Sequence, residues 1–202
     1  MITGIHDLTW QRMLLGAGTL IANLHLPRIA DAGIIRQIVE DAIAAGQGII
    51  GATQGGARFR CTPKIRRLEE GYRTPCRDSV TIDSWHVQLK GKMLEFTPEN
   101  AAASAVCAAV QQMKGLTVIE PCTARGMEQY IDTLYWVGDT ACGYVLIELT
   151  NALNTGAELT ISDTGEGAMA FTFEAHLGNT QHDGDAPCRI LLLEETKHAK
   201  EQ

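Results

Sequence analysis

The cleanest alternation in the chain lies between Ala168 and Leu177, where Met169, Phe171, Phe173, Ala175 and Leu177 share one parity and predict a strand with one buried face. A second alternation, Val80 to Phe96, changes phase. Val80 and Ile82 share one face, whereas Trp85, Val87, Leu89, Gly91 and Met93 share the other parity, so one extra residue is expected near Asp83-Ser84 as a β-bulge. A strand is expected at Thr19 to His25 after Gly16-Ala17-Gly18, and a long extended run at Ala57 to Leu68 after the glycine cluster of residues 48–56, which suits tight turns. Further strands are expected at Thr117 to Glu120, Gln129 to Val137, Gly143 to Thr150, Glu158 to Ser162 and Arg189 to Leu193.

Two segments carry helical signals. Asp31 to Ala45 places Ile34, Ile35, Ile38, Val39 and Ala42 on one stripe, with Asp31 as N-cap and Gly46 as stop. Thr97-Pro-Glu-Asn-Ala begins a second, alanine-rich helix with Thr97 as N-cap and Pro98 at its first position, expected to run to about Met113 and stop near Gly115. The pattern predicts a mainly β (α+β) fold: a β-sandwich or barrel with one flanking helix. The 202 residues are expected to form one domain, with residues 1–47 as an N-terminal arm, strand and short helix, and residues 48–202 as the sandwich core.

Composition narrows the function. With 45% hydrophobic and 20% charged residues the chain can bury one sizeable core. No window approaches 18 uncharged apolar residues and the N-terminus lacks a secretory pattern, so a cytosolic origin without membrane anchor is expected. Six cysteines without a CxxC pair fit neither a zinc cluster nor a redox motif and are expected as free thiols. A net charge of -7 argues against a surface for gripping phosphates.

Sharper chemistry has little support. Asp163-Thr-Gly165 is the tripeptide of an aspartic protease half-site, but a turn between strands favours the same residues, and Glu166 follows where such proteases carry a small residue. The glycine cluster has no Lys-Ser/Thr after it and precedes a strand, which disfavours a phosphate cradle. His176, His182, Asp183 and Asp185 could ligate a metal, although a solvated contact loop has the same composition. Trp85 is expected in the core, and Tyr135 and Trp136 split by face. No catalytic, cofactor or metal residue is expected, and the chain is read as a non-enzyme.

The order of several segments resembles the major tail tube proteins of phages and prophages, especially those of Gram-positive hosts. They are Gly51-Ala-Thr-Gln-Gly-Gly56, Ile82-Asp-Ser-Trp-His-Val-Gln-Leu89, Leu94-Glu-Phe-Thr-Pro-Glu99, Tyr130-Ile-Asp-Thr-Leu-Tyr-Trp-Val-Gly138, Asn151-Ala-Leu-Asn-Thr155 and Gly165-Glu-Gly-Ala-Met-Ala-Phe-Thr-Phe173. The resemblance implies a structural virion protein without cofactor: hexameric rings stack into a hollow tube through which phage DNA passes, assembled in the host cytoplasm alongside tape measure and terminator proteins and, in a contractile tail, a sheath. It also implies that Ala57 to Leu68 and Val80 to Phe96 form a long hairpin whose loop reaches the adjacent ring, with Glu69, Glu70, Tyr72, Arg73 and Arg77 as ring-to-ring contacts. Arg58, Arg60, Lys64, Arg66, His86, Gln88 and Lys90 would face a neighbouring subunit or the lumen. Related tubes have an electronegative lumen, so this basic hairpin is a departure. Either its arginines meet acidic groups of the next subunit, which is the expectation here, or the acidic bore is not kept. The inner tube of a phage-derived bacteriocin or contractile injection system is the alternative within the class, and a retropepsin-like protease using Asp163 the alternative outside it.

Overall fold

The computed structural model describes residues 14–67, 80–95, 97–104, 108–121, 129–140, 143–161, 167–178 and 185–194. Nine strands and two helices occur there in the order β1 (Leu14–Ala22), α1 (Ala32–Ala45), β2 (Ile49–Arg67), β3 (Val80–Met93), α2 (Pro98–Ser104), β4 (Ala108–Met113), β5 (Leu116–Pro121), β6 (Ile131–Thr140), β7 (Gly143–Thr160), β8 (Ala168–Glu174) and β9 (Cys188–Glu194). The mainly β expectation is met.

Every pairing is antiparallel, and the order β6-β1-β2-β3-β8-β7-β9 closes on itself because β6 also pairs with β7. Two strands are long enough to serve both halves of this barrel. β2 pairs with β1 over residues 49–53 and, beyond a break in register between Thr53 and Ala57, runs beside β3 alone. Gly55 and Gly56, at φ 67° and 82°, make that corner, a conformation other residues reach only at a cost. The glycine cluster is therefore not a turn ahead of a strand but a bend within one. β7 likewise pairs with β6 and β9 through its first half and with β8 through its second. Its corner holds Asn151 at φ 44° and the buried Asn154, whose Oδ1 accepts from Gly156 N at 3.0 Å and Thr172 N at 3.4 Å across a register shift. The two strands expected at residues 143–150 and 158–162 are thus one, because the Asn154 side chain supplies the acceptor that the displaced backbone loses.

The core between the halves contains Leu20, Leu134, Trp136, Val145, Ile147 and Leu149 from one and Val87, Leu89, Met93, Phe171 and Phe173 from the other. Residues of opposite parity on the first half, Ile21, Tyr135, Val137, Leu146 and Leu193, are covered by Ile35 and Val39 of α1. The split expected for Tyr135 and Trp136 follows: Trp136 fills the barrel and Tyr135 lies under the helix. Asp31 Oδ1 accepts from Gly33 N at 2.8 Å and Gly46 closes α1 at φ 66°, the caps expected from sequence. Ile34, expected on the buried stripe, is instead 55% exposed. β1 lies between β6 and β2, so residues 14–22 are integral to the barrel and not an arm, and the strand continues through Gly16–Gly18.

The second helix departs most from expectation. Thr97 caps it, with Asn100 N donating to Thr97 Oγ1 at 3.1 Å, but it ends at Ser104. Ala108–Met113 then forms a hairpin with Leu116–Pro121 around Lys114-Gly115, with Gly115 at φ 75°. Alanine favours a helix by only a few tenths of a kcal/mol per residue over ordinary residues, so cross-strand pairing of Val110 with Ile119 and Met113 with Leu116 can override it. The longer helix packed on the barrel is therefore α1, with 14 residues against 7 in α2.

Candidate assembly interface

The second half of the barrel is a four-stranded sheet in the order β2 (from Ala57), β3, β8, β7 (from Leu153). Its inner face is apolar. Its outer face carries the alternate residues, and the register places Arg58 beside Lys90, Arg60 beside Gln88, Thr62 beside His86 and Lys64 beside Ser84. Six of the seven hairpin residues singled out from sequence, Arg58, Arg60, Lys64, His86, Gln88 and Lys90, are brought together there. Gln88 Nε2 donates to Glu174 Oε1 at 2.6 Å, linking β3 to β8. Arg66 is set apart because it forms an ion pair with Asp83 at 3.2 Å. Asp83 is the extra residue of the expected bulge, since Lys64 faces Ser84 and Ile65 faces Ile82.

Sequence patterning missed three members of this face. Lys92 continues the parity of Lys90, while Glu158 and Glu174 arrive from β7 and β8. Lys92 was legible from the alternation alone. The carboxylates required the register between distant strands.

Both lateral edges of this sheet are open among the described residues. No described strand pairs with the outer side of β2 over residues 57–67 or of β7 over residues 153–160. Pro63, which has no N–H to donate, is compatible with an edge position on β2. The far end of the β2–β3 hairpin runs past β8 and exposes Ile65, Val80 and Ile82 by 52%, 42% and 43%. The edge strand β9 adds exposed Ile190 and Leu192.

The other candidates do not converge on a chemical site. Glu69, Glu70, Tyr72, Arg73 and Arg77, together with Asp163, His182 and Asp183, lie outside the described residues. His176 is built into the β7 corner, its Nδ1 3.3 Å from Asn151 O and its ring edge-on to Tyr130 at 5.4 Å. Among the described residues no group of three or more His, Cys, Asp or Glu could hold a metal ion. Trp85 packs against the barrel core, as expected. Cys61 and Cys188 are free, with Sγ atoms 3.9 Å apart. Burial and the adjacent Cys61 thiol push Cys188 up to about 12, so it stays protonated near neutral pH and is a poor nucleophile.

Across the first half of the barrel, Tyr135, Glu148 and Arg189 are direct register partners on β6, β7 and β9. Tyr135 OH donates to Glu148 Oε2 at 2.7 Å, and Arg189 Nε donates to the same oxygen. Burial, reinforced by the Glu148 carboxylate, pushes the Tyr135 phenol well above its ordinary value of 10.0. Both acids therefore hold their protons more tightly when folded, so their contribution to stability is complete below the ordinary thiol value of 9.0 and is lost as pH rises from there. The melting temperature is expected to fall between pH 9.0 and about 12, and Tyr135→Phe should flatten that fall when melting is followed by circular dichroism. An unchanged alkaline profile in Tyr135→Phe would refute the assignment to this phenol.

No family model matches the chain, and no curated protein matches it.

Proposed function

We propose that this chain is a structural subunit that assembles head to tail into closed rings, the tail tube subunit of a tailed phage or prophage, with six copies per ring and stacked rings forming the passage for DNA. One observation carries the reading: among the described residues the four-stranded sheet β2-β3-β8-β7 is open at both edges, and its first and last strands run in opposite directions. The β2 edge of one copy laid against the β7 edge of the next thus continues the antiparallel alternation at every seam. Such an interface is heterologous, and a ring is the arrangement that leaves no edge unpaired.

Negative-stain microscopy of the concentrated protein is expected to show rings or tubes of uniform diameter, and a persistent monomer would count against the proposal. Hydrogen exchange identifies the seam. Assembly should protect amides within residues 57–62 and 153–160, whereas protection confined to residues 188–194 would mean that β9 is the assembling edge and that the proposed ring is wrong.

A further inference from the structure

Seven of the chain's 17 lysines and arginines lie on β2 and β3, against one acidic residue, Asp83, and that carboxylate is already paired with Arg66. A net charge of -7 is therefore a poor description of this surface. On the outer face of the second half, Arg58, Arg60, Lys64, Lys90 and Lys92 are exposed, and His86 is exposed among them. None of these five cations forms an ion pair with a described residue, and among the described residues their one side-chain hydrogen bond joins Arg60 Nε to Thr62 Oγ1 at 3.2 Å. Among the described residues the carboxylates on the face are Glu158 and Glu174, the latter engaged by Gln88. Neighbouring strands lie about 4.8 Å apart and alternate residues along a strand about 6.7 Å apart, so the five cations form a dense two-dimensional array. Its like-charge repulsion is relieved by an extended polyanion better than by any single small anion.

We infer that this face binds the phosphate backbone of duplex nucleic acid, without regard to sequence. Arginine and lysine supply phosphate contacts, and Gln88, the residue best suited to reading a base edge, is occupied by Glu174. Among the described residues the outer face carries no Phe, Tyr or Trp on which unpaired bases could stack, which favours a duplex over a single strand. Edge-to-edge assembly would consume the strand edges and leave the face free. The inference goes beyond the ring proposal and does not depend on it, because a single copy already carries the array.

The test is fluorescence anisotropy with a labelled DNA duplex of about 20 base pairs, titrated with the full chain between about 50 and 200 mM salt. Sedimentation under the same conditions reports assembly separately, so a failed ring and a failed nucleic-acid site are distinguishable. Binding should be equal for unrelated sequences, with log affinity against log salt falling at a slope of about -4, as expected when four to five phosphates are neutralised. Arg58→Gln with Lys90→Gln should make that slope shallower by about two and weaken binding at least about tenfold at low salt. Lys114→Gln, at the tip of the β4–β5 hairpin, should change neither. Melting curves of each variant establish that it is folded. Unchanged binding in the Arg58/Lys90 double variant, or equally tight binding of polyglutamate, would overturn the inference.

Discussion

Truncating Trp136 to alanine is expected to cost about 3–5 kcal/mol of stability, measured by urea denaturation, the largest loss from any single core residue. The indole lies in the barrel at 5% exposure, and its Nε1 donates to Thr53 Oγ1 at 3.2 Å, which in turn donates to Gly18 O at 2.9 Å. Gly18 and Gly138 are register partners on β1 and β6, and the ring occupies the space above both, where a Cβ on either would collide with it. Gly138→Ala is accordingly expected to destabilise by about 1–3 kcal/mol through overpacking, although alanine suits a strand better than glycine. The two effects share one space and must couple: in a Trp136→Ala background, Gly138→Ala should cost much less. Additive losses would show that the glycine serves the backbone and not the ring.

Glu148→Ala is expected to be nearly as damaging, at about 2–4 kcal/mol, for a different reason. Its carboxylate satisfies both the Tyr135 hydroxyl and the Arg189 guanidinium, with side-chain exposures of 13% for Glu148 and 28% for Arg189. Removing it leaves a buried phenol and a partly buried cation without their acceptor, and an orphaned group costs more than the intact pair contributes. Residual solvent access at Arg189 keeps the figure below that of a fully buried pair. Arg189→Met should recover part of the loss in the Glu148→Ala background by removing the stranded charge. If the double variant is as unstable as Glu148→Ala alone, desolvation of Arg189 is not the cause.

These two sites differ in how far sequence could reveal them. Strand parity placed Trp136 opposite Tyr135, and Gly138 stood visibly in the same strand. Gly18 lies 118 residues before Trp136 along the chain, and only the β1–β6 register makes it part of the indole's seat. The polar triad was less accessible still, since Tyr135, Glu148 and Arg189 come from three strands with no local signal that they meet.

The same division runs through the proposed interface. Alternation in Val80 to Phe96 set His86, Gln88 and Lys90 opposite the apolar parity, and its phase change near Asp83 located the bulge, whereas the β2–β3 register is what brings Arg58, Arg60 and Lys64 beside them. Summed charge, by contrast, does not show that seven lysines and arginines gather on β2 and β3, because a net value averages over surfaces that folding keeps apart.

By itself the sequence determined what local physics controls: the β class, the caps of α1 at Asp31 and Gly46, the start of the second helix at Thr97, the inward parity of Met169, Phe171 and Phe173, and the bulge. Tertiary structure decided where a strand continues through a bend, as in β2 and β7, because the glycines and asparagines of those corners read locally as turns and only pairing on both sides makes them strand. It decided that Ala108–Met113 is a hairpin, since small propensities yield to cross-strand contacts. And it decided which edges remain open among the described residues, a property of the closed pairing order and of no single segment.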